Sequence, residues 1–252
     1  MTRFAFALLL VPVAVFAACS SSSNGASSSG SPADADAGDE AGDGTSTGTT
    51  QCSAARDQLL TPIDKSSSAT VSVVSDDGTT KLIYVDASAG GPQGASKQPR
   101  VYLSLDTGTK ADLTDKEAFS SSDWDLAIKR TVIYTNSGDA GPGKGGAAQL
   151  SKAFDAVTAA DADAAKPAAE VFFDADCNGQ TDFAGYPQTT FSTWYNYDQA
   201  TNIPTPKNAT YIVKGASGKR YKLAIETFTA YPDGGTRAAN ATGYFLFKVA
   251  AL

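Results

Sequence analysis

The sequence predicts a mainly β fold, in which antiparallel hairpins form meander sheets accompanied by one short helix. Three observations support this: runs of alternating apolar and polar residues, turn-forming Asp, Asn and Gly between the runs, and a loop too rich in glycine for regular structure. The clearest alternation lies in Arg220–Thr229, where Tyr221, Leu223 and Ile225 alternate with charged or small residues. A period of two is typical of a strand with one buried face.

The N-terminal residues carry targeting information. Arg3 precedes an apolar run over residues 4–16, and small residues lead directly into Cys19. The run is too short for a membrane span, which needs about 20 residues. We therefore expect residues 1–18 to be a lipoprotein signal peptide and Cys19 to be acylated. The alternative is a plain secretory signal peptide in which Cys19 is incidental.

The predicted anchor has consequences for location. Several acyl chains on Cys19 would hold the protein far more firmly than one. Ser20, rather than Asp, follows that cysteine, which in a cell with two membranes favours the outer membrane, on its surface or its periplasmic face. Residues 19–51 are almost throughout Ser, Gly, Ala, Thr and Asp, with no aromatic residue, Lys or Arg. We expect a disordered tether there, because it cannot bury enough apolar surface to fold.

Residues 52–252 are predicted to form one β domain, a length that suits a single all-β unit. The predicted strands are Thr70–Ser75, Thr80–Asp86, Arg100–Leu105, Asp123–Thr135, Thr190–Tyr197, Tyr211–Lys214, Arg220–Thr229 and Gly243–Val249. Asp123–Thr135 is expected to be the central strand, with Trp124 on its one buried face. Its charged residues Asp123, Asp125, Lys129 and Arg130 are expected on a solvated face, with a buried Arg–Asp pair as the alternative. The helix is predicted over the Ala-rich Gln149–Ala165.

The chain has three cysteines. If Cys19 is acylated, Cys52 and Cys177 remain, and an even number outside the cytoplasm indicates a disulfide. This bond would connect the start of the domain to its middle. Two unpaired thiols are the alternative.

The composition excludes several functions. The chain has 27 acidic and 20 basic residues, a net charge of −7, which disfavours binding to nucleic acid. It has no His, and its one Met is Met1. A Ser-His-Asp or Cys-His triad, His-containing zinc sites and His or Met haem ligation are therefore excluded. We expect that the protein is not an enzyme, although catalysis by carboxylates alone stays an open alternative.

The glycine-rich loop resembles a nucleotide-binding motif without completing it. Gly138–Gly145 fits G-x-x-x-x-G-K with Lys144 as the lysine, but Gly145 stands where Ser or Thr must bind magnesium. No nucleotide is expected. The loop is instead expected to be mobile, with Lys144 as a candidate ligand contact.

A calcium site is the sharper prediction. Oxygen-bearing side chains recur from Asp174, with a glycine where the turn must be sharp, and Gln180 would contribute its backbone carbonyl. The candidate ligands are Asp174, Asp176, Asn178, Gln180 and Asp182. The twelfth-position Glu is missing, since Gly185 stands there. The alternative is an Asp- and Asn-rich surface turn.

Aromatic residues cluster over residues 172–197. Adjacent strand residues face opposite ways, so one face could line an apolar cleft while the other packs in the core. The candidate ligand contacts are Tyr134, Tyr186, Trp194, Tyr195 and Tyr197. Packing in the core is the alternative for each.

Several segments together resemble the HmuY family of bacterial haem-binding lipoproteins. They are residues 122–130 (SDWDLAIKR), 135–138 (TNSG), 143–146 (GKGG), 194–197 (WYNY), 206–213, 218–219 (GK) and 221–223 (YKL). The resemblance extends from about Thr70 to the C-terminus. It implies a largely antiparallel β domain held at the cell surface by lipid, which captures haem and passes it to an outer-membrane receptor.

The chain departs from that family at the haem ligands, because tight binders use His or Met and the mature chain has neither. Asn202 stands where some relatives have His, and a neutral amide is a poor iron ligand. We therefore expect a non-enzymatic module that binds a small hydrophobic ligand or a surface partner, through loops around residues 138–146 and 186–204. The alternatives are a haem-binding protein with Tyr or no axial ligand, and a calcium-stabilised surface interaction protein.

Overall fold

The computed structural model describes residues 51–252, and within them antiparallel hairpins dominate, which confirms the predicted fold class. The predicted signal peptide, Cys19 and the tether up to residue 50 lie outside the described residues. The strands are β1 Val71–Asp76, β2 Lys81–Asp86, β3 Val101–Ser104, β4 Thr109–Ala111, β5 Leu126–Lys129, β6 Val132–Thr135, β7 Gly146–Leu150, β8 Tyr195–Asp198, β9 Ile203–Pro206, β10 Thr210–Lys214, β11 Arg220–Thr227 and β12 Tyr244–Ala251.

Two sheets enclose the main core. The larger has six strands in the order β1-β2-β12-β11-β10-β7, and the smaller has four in the order β4-β3-β5-β6. Apolar side chains of both sheets form one cluster, in which Ile83 and Phe247 of the larger sheet join Leu103 and Ile128 of the smaller one. The alternating residues of the strands account for this, since each strand turns one set of side chains inward.

The smaller sheet is buried on both faces, which differs from the prediction of one buried face. Its second face carries Tyr102, Trp124, Ala127 and Tyr134, and they pack against Phe172 and other residues of a second apolar cluster. The rings of Tyr102 and Trp124 meet edge to face at 5.1 Å, an arrangement that aromatic quadrupoles favour.

The predicted strand Asp123–Thr135 is two strands, β5 and β6, paired as a hairpin. The chain reverses at Arg130, which adopts a left-handed backbone with φ 52°. Neither Gly nor Asn marks this turn, so the composition gave no signal for it. The prediction of a solvated face holds for Asp123, which is exposed. It is wrong for Asp125, which is 8% exposed and accepts hydrogen bonds from the backbone of Leu105 and Ala216.

Four short α-helices occur in the described part of the chain, where one was predicted. They are α1 Ser53–Leu60, α2 Gly91–Gly94, α3 Asp115–Ala118 and α4 Ala159–Ala164, with 3-10 turns at Ala95–Lys97 and Phe154–Ala156. The helix predicted over Gln149–Ala165 is correct only for α4, whose first turn is capped by Thr158. Gln149 belongs instead to β7, where it pairs with Tyr211.

The glycine-rich loop after β6 is folded around Asn136, whereas the mobility expected for it stays a prediction. The Asn136 side chain is fully buried, accepts a hydrogen bond from the Gly143 backbone and donates to the carbonyls of Ser121 and Trp124. A Cβ atom on Gly145 would approach the Asn136 carbonyl oxygen within 2.5 Å. The loop is glycine-rich because it passes so close to buried backbone.

The predicted disulfide between Cys52 and Cys177 is confirmed, with Cα atoms 5.4 Å apart. It connects α1 to the loop that follows Phe173. In residues 51–252 no helix combines the length and the apolar character that a membrane span requires.

Candidate ligand-binding groove

A groove with a volume of about 200 Å³ opens between the end of α1, the β5–β6 hairpin and the loop at residues 185–187. We call it the Tyr186 groove. Its lining residues are Leu59, Thr61, Ala95, Ser96, Arg100, Lys129, Arg130, Thr131, Val132, Gly185, Tyr186 and Pro187. Three cations therefore share the groove with aliphatic and aromatic walls. This combination suits a ligand with an apolar body and a negative charge.

The strand register brings two of the cations together. In the antiparallel pair of β3 and β5, Val101 lies opposite Ile128. Arg100 precedes Val101 and Lys129 follows Ile128, so the same register sets these two cations across from each other. Lys129 is also paired with Val132 of β6, and side chains that are paired across strands lie on the same face of the sheet.

Arg100 is fixed by hydrogen bonds at the inner end of the groove. Its side chain is 6% exposed, and Nη1 donates to Asp115 Oδ2 at 3.1 Å while Nη2 donates to the Leu60 carbonyl at 2.7 Å. Its Nε is buried with no hydrogen-bond partner. A guanidinium stays charged at any physiological pH, so Arg100 stays positive, and the Asp115 carboxylate that it contacts balances this one charge.

Lys129 is the second buried cation. Its Nζ lies 4.0 Å from Asp115 Oδ2, which is too far for a hydrogen bond, and it has no hydrogen-bond partner. Burial lowers the pKa of Lys129 from 10.5 to about 8, with Arg100 adding to this effect and Asp115 opposing it. The ammonium is thus largely charged at neutral pH yet incompletely compensated.

Two of the tyrosines predicted to contact a ligand meet beside the groove. Tyr186 is 47% exposed, and with Tyr195 it also lines a neighbouring cavity of about 20 Å³. That cavity holds one water at most. Tyr197 lies further along β8, where its hydroxyl donates to Asn202 Oδ1 at 2.7 Å.

The other predicted contacts do not reach the groove. Tyr134 and Trp194 are each 1% exposed and pack in the two apolar clusters. Trp194 supports the groove from beneath, because its Nε1 donates to the Thr131 carbonyl. Lys144 is exposed in the glycine-rich loop and does not line the groove.

The structure does not assemble the five predicted calcium ligands into one cage. The Asp174 carboxylate accepts hydrogen bonds within its own turn from Asp176 and Asn178. Asp182 accepts from a separate turn that contains Tyr186, and the Gln180 carbonyl accepts from the backbone of Gln188.

Within residues 51–252, no group of three or more His, Cys, Asp or Glu side chains is placed to hold a metal ion. Calcium binding therefore stays a prediction. An equal melting temperature in millimolar calcium and in chelator would exclude it.

Sequence reasoning missed the importance of Arg100 and assigned Lys129 to solvent. The available signal was a basic residue next to each of two apolar runs, Arg100 before one run and Lys129 after the other. That signal becomes informative only when the register of the two strands is known.

The fold and the site define a β domain with two main sheets, a short sheet of β8 and β9, and a small cationic groove. The family described as HmuY protein matches residues 96–244. The match covers more than half of the chain, so this protein belongs to the HmuY family, as its resemblance predicts.

Three solved structures are similar to this chain. A candidate lipoprotein of Bacteroides fragilis has 18% identity and a TM-score of 0.44, over 71% of this chain and 92% of its own. A candidate HmuY-like haem-binding protein of Bacteroides vulgatus has 19% identity and a TM-score of 0.42, over 74% and 97%. The ligand-free HmuY analogue of Tannerella forsythia has 16% identity and a TM-score of 0.41, over 74% and 99%. No curated protein matches significantly.

Proposed function

We propose that this protein is a lipid-anchored, non-enzymatic module that binds a small, largely apolar ligand in the Tyr186 groove. The observation that carries the proposal is the groove itself, where Leu59, Val132, Tyr186 and Pro187 form apolar walls around incompletely compensated cations. Concave sites with apolar walls and few polar groups are typical of ligand binding. The absence of His from the sequence also removes the commonest general base.

The anchor sets where this binding takes place. The small residues before Cys19 and the Ser that follows it support acylation and an outer-membrane location. An outer-membrane receptor that accepts the ligand is the partner we propose. The acidic tether would allow the domain to stand away from the lipid surface.

Haem is the alternative ligand, because a relative with the same family fold is described as haem-binding. The residues at the groove do not fit a tightly ligated haem. Neither His nor Met occurs among residues 51–252, and the volume of about 200 Å³ is below the usual range for ligands of drug size. Haem would have to lie across the mouth of the groove, where the half-exposed Tyr186 is the phenol available to ligate iron.

The test of groove binding uses two probes of the same shape, 1-naphthoate and the neutral 1-naphthalenemethanol. The protein used is the full chain with the substitution Cys19→Ala. This substitution removes the acylation site, so no detergent is needed that would compete for the probes. Calorimetric titration is expected to show one saturable site for at least one probe. The substitution Val132→Trp fills the groove with a larger side chain and is expected to abolish this binding. If neither probe binds, or if Val132→Trp binds as the parent does, the proposed site is wrong.

A haemin titration of the same protein tests the alternative. Binding would shift the Soret band and quench the fluorescence of Trp194, whose Nε1 donates to the carbonyl of Thr131 in the groove lining. Tyr186→Phe would remove the shift if its phenolate ligates iron. An unshifted Soret band together with unquenched tryptophan fluorescence would reject haem as a ligand.

A further inference from the structure

The buried charges at the inner end of the Tyr186 groove do not balance. Arg100 and Lys129 contribute two positive charges, and Asp115 is the one carboxylate that forms an ion pair with either of them in the part of the chain that the structure describes. Like charges set opposite each other across paired strands destabilise a sheet. One uncompensated cation in a partly buried site is costly unless an anion joins it.

Asp115 has no capacity left to satisfy Lys129. Its Oδ1 accepts from the Arg100 backbone at 2.9 Å and from the Tyr102 hydroxyl at 3.0 Å. Its Oδ2 accepts from the Ile63 backbone at 3.0 Å and from Arg100 Nη1 at 3.1 Å. A carboxylate offers about four acceptor positions, and all of them are taken. Lys129 Nζ and Arg100 Nε are therefore the two donors left for a further acceptor.

The third cation at the groove has partners of its own. Arg130 is half-buried, and its guanidinium donates to the carbonyl and the hydroxyl of Thr242. Those acceptors are neutral, and the carboxylate that acts on its charge is Asp86, so Arg130 lies outside the balance of Arg100, Lys129 and Asp115. Asp182, beside the neighbouring cavity, uses Oδ1 to accept from the backbone of Ala184 and Tyr186.

We propose that the ligand of the Tyr186 groove is a small amphipathic monocarboxylate, whose carboxylate accepts hydrogen bonds from Lys129 and Arg100. Its aromatic or short aliphatic body lies against Leu59, Val132 and Tyr186. This inference rests on the proposed function and adds the chemical class of the ligand. One negative charge matches the one surplus positive charge that Arg100, Lys129 and Asp115 leave at the inner end of the groove, and the flexible stem of Lys129 lets its ammonium turn towards the bound group.

The test compares the affinities of 1-naphthoate and 1-naphthalenemethanol for the same protein at pH 7. The parent chain is expected to bind the carboxylate at least about tenfold more tightly than the alcohol, the ratio that one charge-assisted hydrogen bond provides. Lys129→Met keeps the length of the stem and is expected to reduce this preference to less than about threefold. Lys65→Met, which removes an exposed lysine, is the matched control and is expected to keep the full preference.

A measurement on the parent chain covers the case in which Lys129→Met does not fold. Lys129 faces Arg100 and Asp115, and a bound carboxylate would favour its charged form. Titrations between pH 7 and pH 10, in pairs of buffers of different ionisation enthalpy, are therefore expected to show net proton uptake within this range with the carboxylate and none with the alcohol.

The outcomes separate the two proposals. Equal affinity for both probes, or no proton uptake with the carboxylate, would overturn the assignment of a carboxylate while leaving a binding groove. A Lys129→Met variant that keeps the tenfold preference would do the same. Loss of binding for both probes in the parent chain would instead overturn the proposed function.

Discussion

Glu170 is expected to make the stability of this domain fall as the pH rises through neutrality. Its side chain is 3% exposed, and Oε1 accepts from the Thr135 backbone at 2.8 Å and from the Thr135 hydroxyl at 3.1 Å. Burial raises the pKa of Glu170 from 4.5 to about 7, against the lowering effect of these hydrogen bonds. Its protonated form thus stabilises the fold below pH 4.5, and this contribution is lost as the pH rises through 7.

The size of the effect follows from the pKa shift. A change from 4.5 to about 7 corresponds to about 3 kcal/mol between pH 4.5 and pH 8. That is a large share of the 5–15 kcal/mol by which domains are typically stable. In the Glu170→Gln variant an amide oxygen replaces the carboxyl oxygen as hydrogen-bond acceptor. The amide cannot ionise, so the variant should lack this dependence of stability on pH.

The assay is urea unfolding followed by tryptophan fluorescence at several pH values, in which the parent is compared with Glu170→Gln. The difference between the two isolates Glu170 from Asp125, whose pKa burial also raises. Asp161, whose pKa a hydrogen bond from Lys152 lowers to about 2, acts only in more acid solution. Glu226→Gln, at an exposed position, is the control. A difference curve that stays flat from pH 5 to pH 8 would refute the reasoning.

Three further variants test other parts of the structure, each by denaturant unfolding. Replacing Cys52 and Cys177 with Ser opens a loop with a sequence separation of 125 and is expected to cost about 4 kcal/mol; an unchanged midpoint would show that the bond does not constrain the chain. Asn136→Ala leaves Gly143 N–H and two carbonyls without partners and should cost at least about 3 kcal/mol, so a loss below 1 kcal/mol would mean that the loop does not depend on this side chain. Lys129→Met removes a buried cation whose pKa is about 8 and should stabilise the domain by about 1–3 kcal/mol at pH 7. The unfavourable charge disappears as Lys129 deprotonates, so the gain in stability should shrink towards pH 10. A gain that does not depend on pH would contradict this origin.

The sequence was informative wherever burial alone decides the pattern. The alternation in Arg220–Thr229 reflects a real strand, β11, because one of its faces lies on the main core. The pairing of Cys52 with Cys177 followed from counting alone. The helix predicted from Ala-rich composition at Gln149 failed, because Gln149 gains backbone hydrogen bonds by pairing with β10. Helix propensity is worth too little per residue to oppose such a sheet.

The site could be predicted only in part, because it depends on the register of strands and not on local sequence. Tyr186 was chosen as an aromatic residue in a loop, and it does line the groove. Lys129 and Arg100 are separated along the chain and meet only because β3 and β5 pair in one register. The turn at Arg130, which places Val132 beside Lys129, has no residue that marks it.

The β5–β6 hairpin contributes residues both to the main core and to the groove. This division bears on which residues determine the ligand of such a protein. Ile128 and Ile133 of the hairpin belong to the main core, whereas Lys129 and Val132 line the groove. Substitutions at the groove positions therefore change the charge and shape of the groove without opening the core between the sheets. A family fold of this kind does not by itself determine the ligand. A chain that has no His and no Met beyond Met1, and that sets Lys129 opposite Arg100, can keep the HmuY fold while the anion that we propose for its groove is selected through charge instead of iron ligation.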